Sequence, residues 1–130
     1  MRSGLQRPRL WMCMGFLIVA FITVACLMPA RDVPNVGTYD KLIHAFFYTV
    51  LALWFASILR RRHFLPLLLI LGAFGGLIEL AQEAMHLGRH AEWADLLADV
   101  IGAAAGVALA STPLGRWPEL VESTFRRVFA

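Results

Sequence analysis

Charged residues are scarce in this chain, at 16%, and four long stretches almost lack them. That scarcity excludes an ordinary water-soluble domain, in which about a quarter of residues are charged. Cysteine is limited to Cys13 and Cys26. Both fall on one expected helix, ~20 Å apart at the helical rise, too far to pair, so buried reduced thiols are expected. No repeat of fixed period, low-complexity tract or second domain is visible. Basic residues interleaved with aromatics are missing, which excludes a nucleic-acid partner. His44, Glu79, Asp95 and Asp99 could supply nitrogen and oxygen metal ligands, but they come from separate segments without a diagnostic spacing such as a His-Glu-x-x-His run, so the metal signal is weak and neither a metal nor a cofactor is expected.

What is present is apolar: 59% of residues, with a mean hydropathy of +0.67. Hydrophobic runs of about 17 to 19 residues suffice to cross hydrocarbon at ~1.5 Å per residue. They predict transmembrane helices at about 10–28, 43–59, 64–82 and 95–112. The fold class expected is all-α, a four-helix transmembrane bundle forming a single domain over 1–130. After Pro113, Trp117, Leu120, Val121, Thr124, Phe125 and Val128 recur at helical spacing to form one largely apolar face, with Glu119, Glu122, Arg126 and Arg127 off it. A short amphipathic interfacial helix at about 117–129 is therefore expected to lie along the inner leaflet as an anchor.

Basic residues near helix ends favour the cytoplasmic side. Arg2, Arg7 and Arg9 precede the first run, Arg60, Arg61 and Arg62 separate the second and third, and Arg116, Arg126 and Arg127 follow the fourth. Nine of the twelve basic residues thus share one side, and only Arg31, Lys41 and Arg89 fall opposite. The expectation is a multi-pass protein of the bacterial inner membrane with both termini cytoplasmic, its net charge of +3 directed at anionic membrane lipids. The Arg-rich start and Thr23-Val24-Ala25-Cys26 also resemble a signal peptide with a lipoprotein cleavage box. The run is nearer a full span than a short signal core, so an uncleaved helix is expected. Trp11 and Trp117 fit an inner aromatic belt and Trp93 an outer one, while Trp54 reads as packing or lipid contact.

Polar residues concentrate at the outer ends of three runs. Asp40, Lys41 and His44 open the second, with Asp40 a candidate N-cap. Glu79, Gln82 and Glu83 close the third, and Asp95 and Asp99 open the fourth. Helical rise places His44, Glu79 and Asp99 at about one level, a turn beneath the outer surface. Asp40, Lys41, Gln82, Glu83, Arg89 and Asp95 form a second tier above them. Gly72 with Gly76, and Gly102 with Gly106, are small-xxx-small pairs expected to let neighbouring helices approach. His86 and His90 read as ordinary interfacial residues.

The segments DKLIHAFFYTVLALW (residues 40–54), IELAQ (78–82) and GRHAEWADLLADVIGAAAG (88–106) resemble the VanZ-like family of small bacterial membrane proteins. That family has an Asp-Lys-x-x-His element, a Glu-x-x-Gln element, and an Arg followed by an Asp that opens a Gly-containing helix. The resemblance implies Asp40, Lys41, His44, Glu79, Gln82, Arg89 and Asp95 as characteristic positions. Asp99 departs from it, standing where Asn is expected. The family takes its name from a protein associated with resistance to the glycopeptide teicoplanin, and membership implies no settled biochemical activity.

Ionisable groups at bilayer depth are costly unless they face a bundle interior or water, so this cluster marks the functional-site hypothesis. One reading is purely structural, an ion and hydrogen-bond network in which Lys41 or Arg89 pairs with Glu79. In a binding reading, an outward-facing polar cavity holds a lipid-linked cell-wall precursor or a glycopeptide, with Arg89 and Lys41 on anionic groups and the acids on hydroxyls or amines. In an enzyme reading, His44 and Glu79 exchange a proton during hydrolysis or group transfer on a lipid-linked substrate. No activated Ser, Cys or Thr nucleophile lies near those elements. A proton pathway is disfavoured because the inner halves of the helices lack ionisable groups. Binding or screening at the cavity is the leading expectation.

Overall fold

The computed structural model describes residues 4–28, 39–86 and 91–129, and the Phe129 side chain lies outside that description. The elements are α1 (Pro8–Cys26), α2 (Asp40–Ile58), α3 (Phe64–Met85), α4 (Trp93–Ala110) and α5 (Trp117–Phe129), with 3-10 turns at Arg61–His63 and Pro113–Arg116. No strand occurs among the described residues. α1 to α4 are each long and apolar enough to span a bilayer. Arg31, Arg89 and His90 lie outside the described residues.

Helix boundaries follow local chemistry. Pro8 sits in the first turn of α1, where its missing N–H costs nothing. α2 begins at Asp40 itself: Tyr39 holds the cap position and makes no side-chain capping bond. Asp40 therefore acts from the first turn, beside the free N–H groups and the positive end of the helix dipole, rather than as the cap. α3 runs three residues beyond its expected end. His86 terminates it in the left-handed conformation at φ 51°, a role normally given to glycine or asparagine.

α2 lies centrally, and its contact with α4 is the most extensive in the bundle. A Cβ at Gly102 would collide with the Ala45 carbonyl, and one at Gly106 with the Thr49 carbonyl. The Thr49 hydroxyl donates to the carbonyls of Ala45 (2.7 Å) and Gly102 (3.0 Å). Close approach at the second small-xxx-small pair is thus real. The first pair behaves differently. Gly72 has only an ordinary contact with Val100, and a Cβ on Gly76 would meet open space. Gly75 is the tight position on α3, because a Cβ there would lie 2.6 Å from Asp99 Oδ2 and 3.2 Å from the Tyr48 hydroxyl.

The core comprises Ile22, Cys26, Tyr48, Leu51, Ala52, Phe55, Ala56, Leu67, Leu71, Ile78, Ala103 and Ala110. Leu17, Phe21, Leu69, Leu77, Leu80 and Ile101 point outward from the spanning helices, as lipid-facing side chains must. Cys26 is buried but Cys13 is exposed, because it falls on the outer stripe of α1.

Trp11, Trp54 and Trp117 pack together, with ring centroids 5.0 to 5.5 Å apart. Trp54 also donates its indole N–H to the Trp11 carbonyl at 3.0 Å. Only Trp93, 86% exposed, has the openness of a belt residue. α5 docks on this cluster through Glu122, whose carboxylate accepts from the backbone N–H groups of Gln6 (2.7 Å) and Arg7 (3.0 Å) and from the Trp11 indole (2.9 Å). Leu120, Phe125 and Val128 remain exposed on α5, an apolar stripe available to a membrane surface. Two cavities of about 670 and 630 Å³ lie at this end of the bundle, one bordered by Arg60, Arg61 and Arg116, the other by Arg7, Trp11 and Phe125.

Candidate functional site

α2 and α4 run side by side in the same direction, both starting at the polar end of the bundle. Their register sets the site. Lys41 meets Asp95, His44 meets Asp99, and Ala45 and Thr49 meet Gly102. Each step is about one helical turn on both helices. The close approach permitted by Gly102 and Gly106 brings the short Asp99 side chain to His44, whose Nδ1 lies 3.0 Å from Asp99 Oδ1. α3 supplies the third wall, and Gly75 leaves the space that Asp99 Oδ2 and the Tyr48 hydroxyl occupy.

Two tiers result. The inner one contains His44, Glu79 and Asp99, from three helices, each offering a ligand atom within 4.8 Å of the others. These side chains are enclosed: Asp99 is 0% exposed, His44 2% and Glu79 5%. Glu79 Oε2 accepts the backbone N–H of Glu92 at 2.8 Å. Glu79 Oε1, Asp99 Oδ2 and the Tyr48 hydroxyl are buried with no hydrogen-bond partner among the described residues. Buried polar groups without partners cost about 1–3 kcal/mol each, so such a concentration calls for an explanation.

The outer tier is partly open. Lys41 Nζ bridges Glu92 Oε2 (2.8 Å) and Asp95 Oδ1 (3.2 Å), with the Lys41 and Glu92 side chains about half exposed and Asp95 buried. Asp40 approaches His44 and Asp95 closely enough for the three to present ligand atoms within 4.8 Å of one another. Lys41 pairs with these acids rather than with Glu79. Glu83, exposed on α3, accepts the Ala91 N–H at 3.0 Å. Glu79 and Glu83, one turn apart, therefore hold the two residues that lead into α4.

Gln82 differs from its expected position near the surface. It is 4% exposed and donates to the Cys26 carbonyl at 2.9 Å. Cys26 ends α1, where carbonyls lack helical partners, so Gln82 closes that helix and ties α1 to the polar end. Arg89 lies outside the described residues. The inner-tier side chains are themselves enclosed, beneath the charged Lys41–Glu92–Asp95 rim.

Sequence reasoning missed Tyr48 and Glu92. Tyr48 follows His44 by one turn on the same face, a signal readable in the sequence. Glu92 contributes through its backbone as well as its side chain, which no residue pattern could have indicated. Compared with models of protein families, with curated proteins and with solved structures, the chain matches none of them.

Proposed function

We propose that the protein is a VanZ-like component of the bacterial inner membrane, with both termini cytoplasmic, that binds or screens an envelope molecule at its outer polar end. The observation that carries this reading is the enclosed His44–Glu79–Asp99 tier, with Glu79 Oε1 buried and lacking a donor. A bundle held together only by packing gains nothing from such groups, which are expensive at membrane depth. The orientation draws support from the basic residues, nine of twelve lying towards the termini-bearing side.

The described part of the site favours ligands rich in donors. Its acids are Asp40, Glu79, Glu83, Glu92, Asp95 and Asp99, and Lys41 is already bridged by two of them. An amine- or hydroxyl-bearing group, as on a lipid-linked cell-wall precursor or a glycopeptide, complements that balance better than a bare anion. The ligand would engage the Lys41–Glu92–Asp95 rim first. A direct test incubates purified protein with labelled lipid-linked precursor and with glycopeptide. Saturable retention without conversion supports the reading, and lack of retention of either molecule opposes it.

One observation favours an enzyme instead. His44 is held by Asp99 through Nδ1 at 3.0 Å, the orientation in which an imidazole acts as a general base through Nε2. Turnover of the labelled precursor at catalytic protein concentration, abolished by His44→Ala, would establish this second reading.

A further inference from the structure

We infer that His44, Glu79 and Asp99 form a three-ligand site for a divalent first-row transition-metal ion, for which zinc is the suitable probe. The inference goes beyond the binding function proposed above and does not depend on it, since metal occupancy is read without any envelope molecule.

Three observations converge. First, one imidazole and two carboxylates offer donor atoms within 4.8 Å of one another. Two donors each about 2.1 Å from a zinc ion stand about 3.0–3.4 Å apart. The His44 Nδ1 to Asp99 Oδ1 separation of 3.0 Å already has that value, and a Glu79 carboxylate oxygen lies within 4.8 Å of a ligand atom of each. Second, Glu79 Oε1 and Asp99 Oδ2 sit on side chains more than nine-tenths buried and have no hydrogen-bond partner among the described residues. Asp99 Oδ2 shares the space beside Gly75 with the Tyr48 hydroxyl, whereas Glu79 Oε1 is an acceptor with nothing to accept. Third, the charge balance fits. Two carboxylates enclosed together at bilayer depth require neutralisation, and Lys41 is committed to Glu92 and Asp95 one tier above. A divalent cation bound by neutral histidine and two carboxylates leaves no net charge.

The surroundings also resemble a metal site's support. The Glu92 N–H fixes Glu79 through its other oxygen, the kind of outer contact that orients a ligating carboxylate. Zinc binds histidine nitrogen and carboxylate oxygen readily, and three protein ligands leave a position open for water or a ligand group. A second constellation, Asp40, His44 and Asp95, meets the same distance criterion. It is the weaker choice because Asp95 is engaged by Lys41 and Asp40 is only half-buried.

The test uses untagged full-length protein in lipid nanodiscs with chelator-buffered zinc. One zinc per chain should bind at micromolar or lower free concentration, and the unfolding temperature should rise with free zinc. His44→Ala, Glu79→Gln and Asp99→Asn should each weaken binding by at least about 100-fold, the upper end of what losing an outer-shell partner costs. Asp95→Asn should change affinity by less than this. Substoichiometric binding by the wild type overturns the proposal, as does a pattern in which Asp95→Asn abolishes binding and Asp99→Asn does not. Tryptophan fluorescence from the Trp11–Trp54–Trp117 cluster, at the far end of the bundle, reports whether each variant is folded. X-ray absorption of the zinc-loaded wild type needs no variant. A first shell of one imidazole nitrogen and otherwise oxygen supports the site, and sulfur or several imidazoles would place the ion elsewhere.

Discussion

His44 on α2 and Asp99 on α4 face each other at 3.0 Å, both shielded from solvent, with the glycine-lined seam of the two helices directly beneath them. The pair lies one step inside the Lys41–Asp95 contact, in a packing register that continues through Ala45–Gly102 and Thr49–Gly106. The polar site and the helix seam are one construction, so disturbing either should be felt in the other.

Asp99→Asn should fold normally, because the amide oxygen can still accept from His44. Asp99→Ala should lower stability by about 1–3 kcal/mol, the usual cost of a buried polar group left without its partner. Reversible unfolding in mixed micelles, with denaturing detergent as the variable, measures both. Equal losses for the two variants would show that the hydrogen bond is immaterial.

Gly102→Ala should be among the most damaging single substitutions, since its methyl group meets the Ala45 backbone, which cannot rotate aside. A loss of about 1–3 kcal/mol or more is expected from such overpacking. Gly76→Ala should be neutral or stabilising by up to about 1 kcal/mol, because a Cβ there meets nothing and alanine favours helix. The same unfolding assay separates the two, and reversal of their order would contradict the seam.

Lys41→Ala should cost more than Glu92→Ala. Removing the amine leaves the buried Asp95 carboxylate without its partner, whereas removing the exposed Glu92 side chain leaves Lys41 paired with Asp95 and wet. Unfolding free energies of the two variants and the double variant decide this.

Glu122 gives a pH dependence. Burial opposes its ionisation, but the N–H groups of Gln6, Trp11 and Arg7 outweigh that and hold its carboxyl below the ordinary value of 4.5. A lowered folded value means the stabilisation is complete above about 4.5 and is lost as pH falls through the folded value. Docking of α5 should therefore weaken in acid, seen as a change in tryptophan fluorescence below that pH. Glu122→Gln should remove this acid transition.

Much of the fold was legible because hydrocarbon thickness and helical rise leave little choice: long uncharged runs must span, and four of them make a bundle. The same rise places His44, Glu79 and Asp99 at one depth. Partner choice among helices was not legible, since Gly72 and Gly76 carry the same pattern as Gly102 and Gly106 yet face open space or loose contact. Gln82 and Glu122 were read as surface residues because neither their type nor their spacing reveals that they serve the end of α1 and the chain leading into it. Such roles belong to tertiary structure. An orphaned carbonyl or N–H is created wherever a helix stops, and the side chain that meets it can come from anywhere in the chain.

The central claim is that the His44–Glu79–Asp99 end of the bundle holds an envelope molecule, and native mass spectrometry of protein released directly from its own membranes tests it most directly. The account predicts an adduct on the wild-type chain, of the mass of an amine- or hydroxyl-bearing envelope molecule, that is lost from folded His44→Ala and Glu79→Gln variants. An identical adduct pattern in the wild type and both variants, or a wild-type chain carrying only bulk phospholipid, would contradict it.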